Sequence, residues 1–155
     1  MKLHNLLFPA VLLLVAGAAQ AADFIVLNRA TARQLADPLG HRQPTVLALW
    51  SIDCTHCKKN LQALSELARK NPRLRVLTVA TEPSTAEHQA VMARYAVPGS
   101  AYAYGTDAPE ALAFALDSSW AGELPRTFLF DGKGGRKNVS GVLSSVAVEQ
   151  GTGLH

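Results

Sequence analysis

The sequence predicts one α/β domain, in which a central mixed β-sheet lies between layers of helices and the chain ends in an antiparallel hairpin. Apolar runs of strand length alternate with segments of helical periodicity, which is the pattern of parallel strand–helix units. A glycine-rich turn between the last two predicted strands indicates the hairpin. The chain has 155 residues, 48% of them hydrophobic, which is enough for one compact core but not for two.

Residues 1–21 have the pattern of a cleavable signal peptide. Lys2 precedes an apolar stretch, Leu6–Val15, and Ala19-Gln20-Ala21 supplies a small-x-small cleavage site. Cleavage there leaves a domain of residues 22–155. The apolar stretch is much shorter than the roughly 20 residues of a bilayer-spanning helix, so an uncleaved membrane anchor is the less favoured alternative.

The mature chain opens with a short strand at Phe24–Leu27 and a short helix at Ala30–Ala36, which a Pro- and Gly-containing segment ends. Thr45–Trp50 is a continuous apolar run bounded by Pro44 and Ser51. Such a run is typical of a central strand that is covered on both faces.

A helical pattern starts at Cys57. Leu61, Leu64 and Leu67 recur at helical spacing, with charged residues on the other faces, and the pattern stops before Asn71. A second core strand and another helix follow, at Leu74–Ala80 and Ser84–Ala96. His88, within that helix, is expected at the surface.

The middle of the chain is predicted to carry a short strand, a short helix and a loop, at Pro98–Tyr104, Ala108–Leu116 and Ser118–Glu123. The aromatic side chains Tyr102, Tyr104 and Trp120 are expected to pack beneath that loop rather than to line a groove. The hairpin has its strands at Arg126–Phe130 and Arg136–Leu143. The residues after 143 leave room only for a short last helix or none, with a frayed end.

Charge and cysteine content exclude two classes of protein. The formal charge is +3, from 15 basic and 12 acidic residues, and no basic run is longer than Lys58-Lys59, so a nucleic-acid partner is not expected. The two cysteines stand in a single CxxC motif, which rules out a framework of structural disulfides. Export would place them outside the reducing cytosol, in a bacterial periplasm.

The motif Cys54-Thr55-His56-Cys57 lies at the start of the predicted helix. Two cysteines with this spacing in a first helical turn can reach disulfide geometry with little backbone movement. The unpaired N–H groups of a helix start stabilise a thiolate, so Cys54 is the expected nucleophile. Cys57, deeper in the helix, is expected to resolve the mixed disulfide.

Three neighbours, Asp53, Thr55 and His56, are the candidates for tuning this redox pair. A protonated His56 would favour the thiolate and make the disulfide more oxidising, whereas Asp53 would act in the opposite direction. The alternative for the same two thiols is a copper or zinc binding and delivery module, which would need further ligands near the sulfurs. A third possibility is an adaptor that binds partner proteins without redox chemistry.

The segment Leu47–Lys59, followed far downstream by Glu123–Gly134, resembles the thioredoxin superfamily, and most of all its exported TlpA/ResA-like members. The resemblance implies a thioredoxin-like three-layer fold and a thiol:disulfide oxidoreductase without a cofactor other than the Cys54/Cys57 disulfide. It implies a cis peptide bond at Pro125, with Leu124 and Arg126 helping to bind the backbone of a partner.

By the same resemblance, Trp50 lies beside the active-site loop and is a candidate for substrate binding, with packing in the core as the alternative. The implied partners are protein thiols and disulfides, together with a membrane redox protein that recycles the pair, and the protein is expected to be a monomer. The sequence departs from the superfamily pattern at Asp53, where thioredoxin has a second tryptophan, at His56, where the TlpA/ResA-like motif has proline, and at Ala48, where thioredoxin has a buried acid. The direction of the redox reaction is therefore open.

Overall fold

The computed structural model describes residues 23–154. The predicted signal peptide lies outside the described residues. Among the residues described, no helix is both long enough and apolar enough to span a membrane.

One six-stranded sheet forms the centre of the described domain, in the order β1-β4-β3-β2-β5-β6. β1 to β4 run parallel, whereas β5 is antiparallel to both β2 and β6. This mixed sheet with its closing hairpin confirms the predicted fold class. The strands are β1 Phe24–Leu27, β2 Thr45–Trp50, β3 Arg75–Ala80, β4 Ser100–Tyr104, β5 Arg126–Phe130 and β6 Arg136–Ser140.

Helices cover both faces of the sheet. The pair α1 and α4 packs on one face, and α2, α3 and α5 pack on the other. The helices are α1 Arg29–Ala36, α2 Thr55–Lys70, α3 Ala86–Tyr95, α4 Pro109–Leu116 and α5 Ser145–Thr152, with a 3₁₀ turn at Pro38–Gly40.

The central strand β2 divides the core into its two halves. All six of its residues are buried. Leu47 and Leu49 pack with the side chains of α1 and α4, while Ala48 and Trp50 face the helices of the opposite layer. The strand therefore has no polar face, which explains its continuous apolar sequence.

The end of β6 and the C-terminal segment differ from the sequence prediction. β6 stops at Ser140 rather than Leu143, because Gly141 adopts a positive φ of 90° and turns the chain out of the sheet. The last helix, predicted as short or absent, is present as the short, eight-residue α5. Its end is packed rather than frayed, since Val148 and Leu154 are buried against β2 and β5 residues.

We predict that Phe128→Ala lowers the free energy of unfolding by about 3 to 5 kcal/mol. The Phe128 side chain is fully buried, and the Arg136 guanidinium lies 4.1 Å from its ring centroid. Phe114→Ala is the matched control, because the Phe114 ring on α4 is 66% exposed, and it should change stability by less than about 0.5 kcal/mol. Urea denaturation measures both, and equal losses would contradict this description of the core.

Candidate active site

The two cysteines form a disulfide at the start of α2. Cys54 is the N-cap residue of the helix and Cys57 lies in its first turn, with their Cα atoms 5.2 Å apart. The helix therefore begins earlier than the sequence indicated, at Thr55. Cys54 is half-buried and Cys57 is only 1% exposed, so an external thiol or disulfide reaches the sulfur of Cys54 first.

The helix start acts directly on the Cys54 sulfur. The backbone N–H of Cys57 donates a hydrogen bond to Cys54 Sγ over 3.1 Å. An N–H donor and the positive end of a helix both stabilise negative charge, so they favour a Cys54 thiolate when the disulfide is reduced. This geometry is what a nucleophilic cysteine requires.

The peptide bond between Leu124 and Pro125 is cis, as the superfamily resemblance implied. β5 begins at the next residue and pairs Arg126 with Leu49, which brings the cis bond to the same sheet edge as the dithiol. Leu124 packs in the apolar cluster that contains Trp50, Cys54 and Cys57. Pro125 itself is buried.

Trp50 lies beneath the active-site loop. Its side chain is 1% exposed, and it packs in one cluster with Cys57. The indole thus supports the dithiol from below. A direct contact between Trp50 and a partner protein stays a prediction.

The three candidates for redox tuning, Asp53, Thr55 and His56, are all exposed. They flank Cys54 at the surface, where the high dielectric constant of water weakens the effect of a charge on Asp53 or His56. Their tuning roles stay predictions.

The Arg126 side chain is held within the protein. Its guanidinium donates hydrogen bonds to Asp117 at 2.6 Å and to Ser140 at 2.8 Å, and it is 13% exposed. These contacts fix the strand that follows the cis bond. The side chain is therefore engaged inside the protein, and contact between Arg126 and a partner stays a prediction.

Asp117, at the end of α4, is the centre of this polar cluster. It is 8% exposed and accepts hydrogen bonds from Arg126, Ser119 and Asn138, with the Arg136 guanidinium 3.4 Å away. Burial acts to raise the pKa of Asp117, but the hydrogen bonds from Arg126 and Ser119 outweigh it and hold the pKa below its usual value.

Asn60 is a site residue that sequence reasoning missed. It is buried on α2, where Nδ2 donates to the Gly141 carbonyl at 3.0 Å and Oδ1 accepts from the Leu143 N–H at 2.9 Å. The Gly141 N–H in turn donates to the Pro125 carbonyl at 2.9 Å. The side chain therefore ties the dithiol helix to the cis-proline loop. An amide on the buried stripe of an amphipathic helix was the available signal.

His88 is buried, and the prediction that it lies at the surface is wrong. It is 2% exposed, its ring centroid lies 5.3 Å from that of Trp50, and Nε2 is 2.8 Å from Glu82 Oε1. The prediction failed because α3 has no strong apolar periodicity, and a histidine that is paired by tertiary contacts has no local sequence signature. Tyr102, Tyr104 and Trp120 pack against the core, as predicted, but Tyr104 and Trp120 also line an open surface pocket.

Within residues 23–154, no cluster of three or more His, Cys, Asp or Glu side chains is placed to hold a metal ion. The two sulfurs are bonded to each other. They act as metal ligands only after reduction.

The fold and the disulfide at its helix start define a thioredoxin-like protein of the thiol–disulfide oxidoreductase class. The chain belongs to the AhpC/TSA family, whose sequence model matches residues 18–135. A comparison with curated proteins returns no match.

Several solved structures have the same fold as this chain. A secreted disulfide oxidoreductase of Mycobacterium tuberculosis, homologous to Escherichia coli DsbE, has a TM-score of 0.60 and 19% identity over 74% of this chain and 84% of its own. A Corynebacterium glutamicum thiol-disulfide isomerase has a TM-score of 0.58 and 12% identity over 75% of this chain and 81% of its own. Bacillus subtilis StoA has a TM-score of 0.51 and 19% identity over 72% of this chain and 84% of its own. At these identities the likeness establishes the fold.

We predict that Asp117→Asn lowers the free energy of unfolding by about 2 kcal/mol at pH 7, because a buried charge-assisted network is lost. The folded pKa is depressed, so the contribution is complete above the unfolded value of about 3.9 and disappears as the pH falls through the folded value. The difference between variant and wild type should therefore shrink in acid, as measured by urea denaturation across pH.

Asp107→Asn is the control for this prediction. Asp107 pairs with Arg29, whose side chain is 57% exposed, so the loss should stay below about 1 kcal/mol. A loss for Asp117→Asn that is independent of pH would contradict the electrostatic explanation.

Proposed function

We propose that the protein is exported to the periplasm and exchanges disulfides with partner proteins, with Cys54 as nucleophile and Cys57 as resolving cysteine. The observation that carries the proposal is the asymmetry of the pair: the accessible sulfur caps the helix, and the second sulfur is buried one turn behind it. This arrangement lets one sulfur meet the partner while the other is kept for resolution.

In the reductive direction, the Cys54 thiolate attacks one sulfur of the partner's disulfide, and that disulfide breaks. The departing partner sulfur takes up a proton. The Cys57 thiolate then attacks Cys54 Sγ, which releases the second partner sulfur as a thiol and forms the Cys54–Cys57 disulfide. The partner gains two electrons and this protein loses two. The oxidative direction is the reverse sequence.

The surface beside Cys54 is suited to an extended polypeptide. Val142 is 56% exposed, and it directly follows Gly141, which is hydrogen-bonded to the cis-proline loop. Leu124 and Ile52 are half-buried beside the disulfide. An apolar rim around a reactive sulfur favours protein thiols and disulfides as substrates, bound through backbone contacts at Leu124–Arg126. A membrane redox protein would recycle the pair, and the protein itself acts as a monomer.

We expect Cys57→Ser to accumulate a mixed disulfide with an insulin chain, because the attacking sulfur is present and the resolving one is absent. Cys54→Ser should accumulate at least about tenfold less, since the remaining thiol is buried. Non-reducing gel electrophoresis and mass spectrometry measure the adduct.

The double variant is the control for nonspecific adducts, and equal trapping by the two single variants would contradict the assigned roles. Copper or zinc bound stoichiometrically to the freshly purified wild type, together with an inert dithiol, would favour the metal-delivery alternative instead. An unchanged cellular role for the double variant would favour the adaptor.

The export proposal predicts a mature chain that starts at Ala22, because Ala19-Gln20-Ala21 forms the cleavage site. The M. tuberculosis protein of the same fold is secreted, which supports this localisation. Fractionation of a bacterial host and N-terminal sequencing measure it. Ala21→Glu is a suitable variant that should block cleavage, and a membrane-retained wild type that keeps residue 1 would contradict the proposal.

A further inference from the structure

Glu82 lies two residues after the end of β3, at the sheet edge beside the dithiol. The preceding residue, Thr81, donates its backbone N–H and its hydroxyl to the Trp50 carbonyl, at 2.9 and 3.3 Å. The Glu82 carboxylate then accepts the N–H of Ile52 at 2.7 Å. Ile52 stands two residues before Cys54, so this carboxylate contacts the segment that leads into the nucleophile.

That segment is a tight turn. The Cys54 N–H donates to the Ser51 carbonyl at 3.2 Å, which closes the turn upon itself. Glu82 binds the turn from the side, through the amide of Ile52. Its side chain is 33% exposed, so its charge is only partly screened by solvent at this place.

His88 fixes the carboxylate from the protein interior. The backbone N–H of Thr85 donates to His88 Nδ1 at 3.2 Å, and a backbone N–H cannot accept. In the neutral ring the proton is therefore on Nε2, which donates to the same Glu82 oxygen at 2.8 Å. The ring lies against the Trp50 indole, 5.3 Å between centroids, and is held in one orientation.

We propose that Glu82 is a positioning residue of the dithiol: held by His88, its carboxylate fixes the turn before Cys54 and favours the disulfide over the dithiol. The inference deepens the proposed function and rests on it, since it assigns the regulation of the same site. The exposed charges of Asp53 and His56 lie in solvent at the surface. Glu82 differs from them because it is bonded to the turn.

The sign of the effect follows from charge. A fixed negative charge near Cys54 makes its thiolate less favourable, and the thiolate is the form that the helix start stabilises in the reduced protein. Destabilising the reduced form makes the disulfide less oxidising. Glu82 therefore opposes the helix start, and removing its charge should shift the equilibrium toward the dithiol.

Glu82→Gln removes the charge and keeps an oxygen that can accept both hydrogen bonds. We expect its Cys54–Cys57 disulfide to be about threefold to tenfold less stable against glutathione than that of the wild type, where tenfold corresponds to 29.6 mV. Glu87→Gln is the matched control, because Glu87 is an exposed carboxylate in the first turn of α3 and not beside the turn. It should stay within about twofold of the wild type.

A Glu82→Gln protein that is folded and has the wild-type equilibrium constant would overturn the inference. So would an equal shift in Glu87→Gln, since the effect would then come from general surface charge. Hydrogen exchange in the wild type tests the contact without any variant. The Ile52 amide should exchange at least about tenfold more slowly than the Asp53 amide, and equal rates would overturn the anchoring role.

The glutathione equilibrium needs no protein partner, so the two proposals can fail separately. If the wild type equilibrates with glutathione but the Cys57→Ser variant forms no adduct with insulin, the exchange function is overturned. An unchanged constant in Glu82→Gln would overturn only the role of Glu82.

Discussion

The burial of β2 on both faces is the constraint on which the rest of the structure depends. A strand with six buried residues and no polar face requires helices above and below it and paired strands on both sides. Its partner β3 then ends beside the dithiol and carries Glu82 there, while the antiparallel partner β5 starts there with Pro125 before it. One buried strand thus brings three distant parts of the sequence to a single sheet edge.

Polar side chains hold the loop before Cys54 and join the elements around it. Asn60 ties α2 to the segment after β6, and Arg126 ties the start of β5 to Asp117 at the end of α4. Glu82 adds a contact from the end of β3. Each of these side chains forms hydrogen bonds with buried or half-buried backbone or charged groups. The elements around the reactive sulfur are therefore fixed in position, while Cys54 itself is half-exposed.

The pattern of elements could be read from the sequence because local signals agreed with the tertiary fold. Thr45–Trp50 and Arg126–Phe130 were predicted with their observed bounds, since continuous apolar runs flanked by breakers allow few interpretations. The predicted end of β6 was wrong. The strand stops at Ser140, because its pairing partner Arg126 is the first residue of β5 and Gly141 then turns the chain away. His88 was misplaced because burial of a histidine depends on Glu82 and Thr85, contacts that periodicity does not report.

The sequence by itself determined the alternation of strands and helices, the CxxC pair and its place at a helix start, because each is a local pattern with a local physical cause. Only the tertiary structure decided where the Arg126 guanidinium goes, and that Asn60, Asp117 and Glu82 support the site. These features join residues that are far apart in the chain. Their geometry exists only after the core has packed around β2.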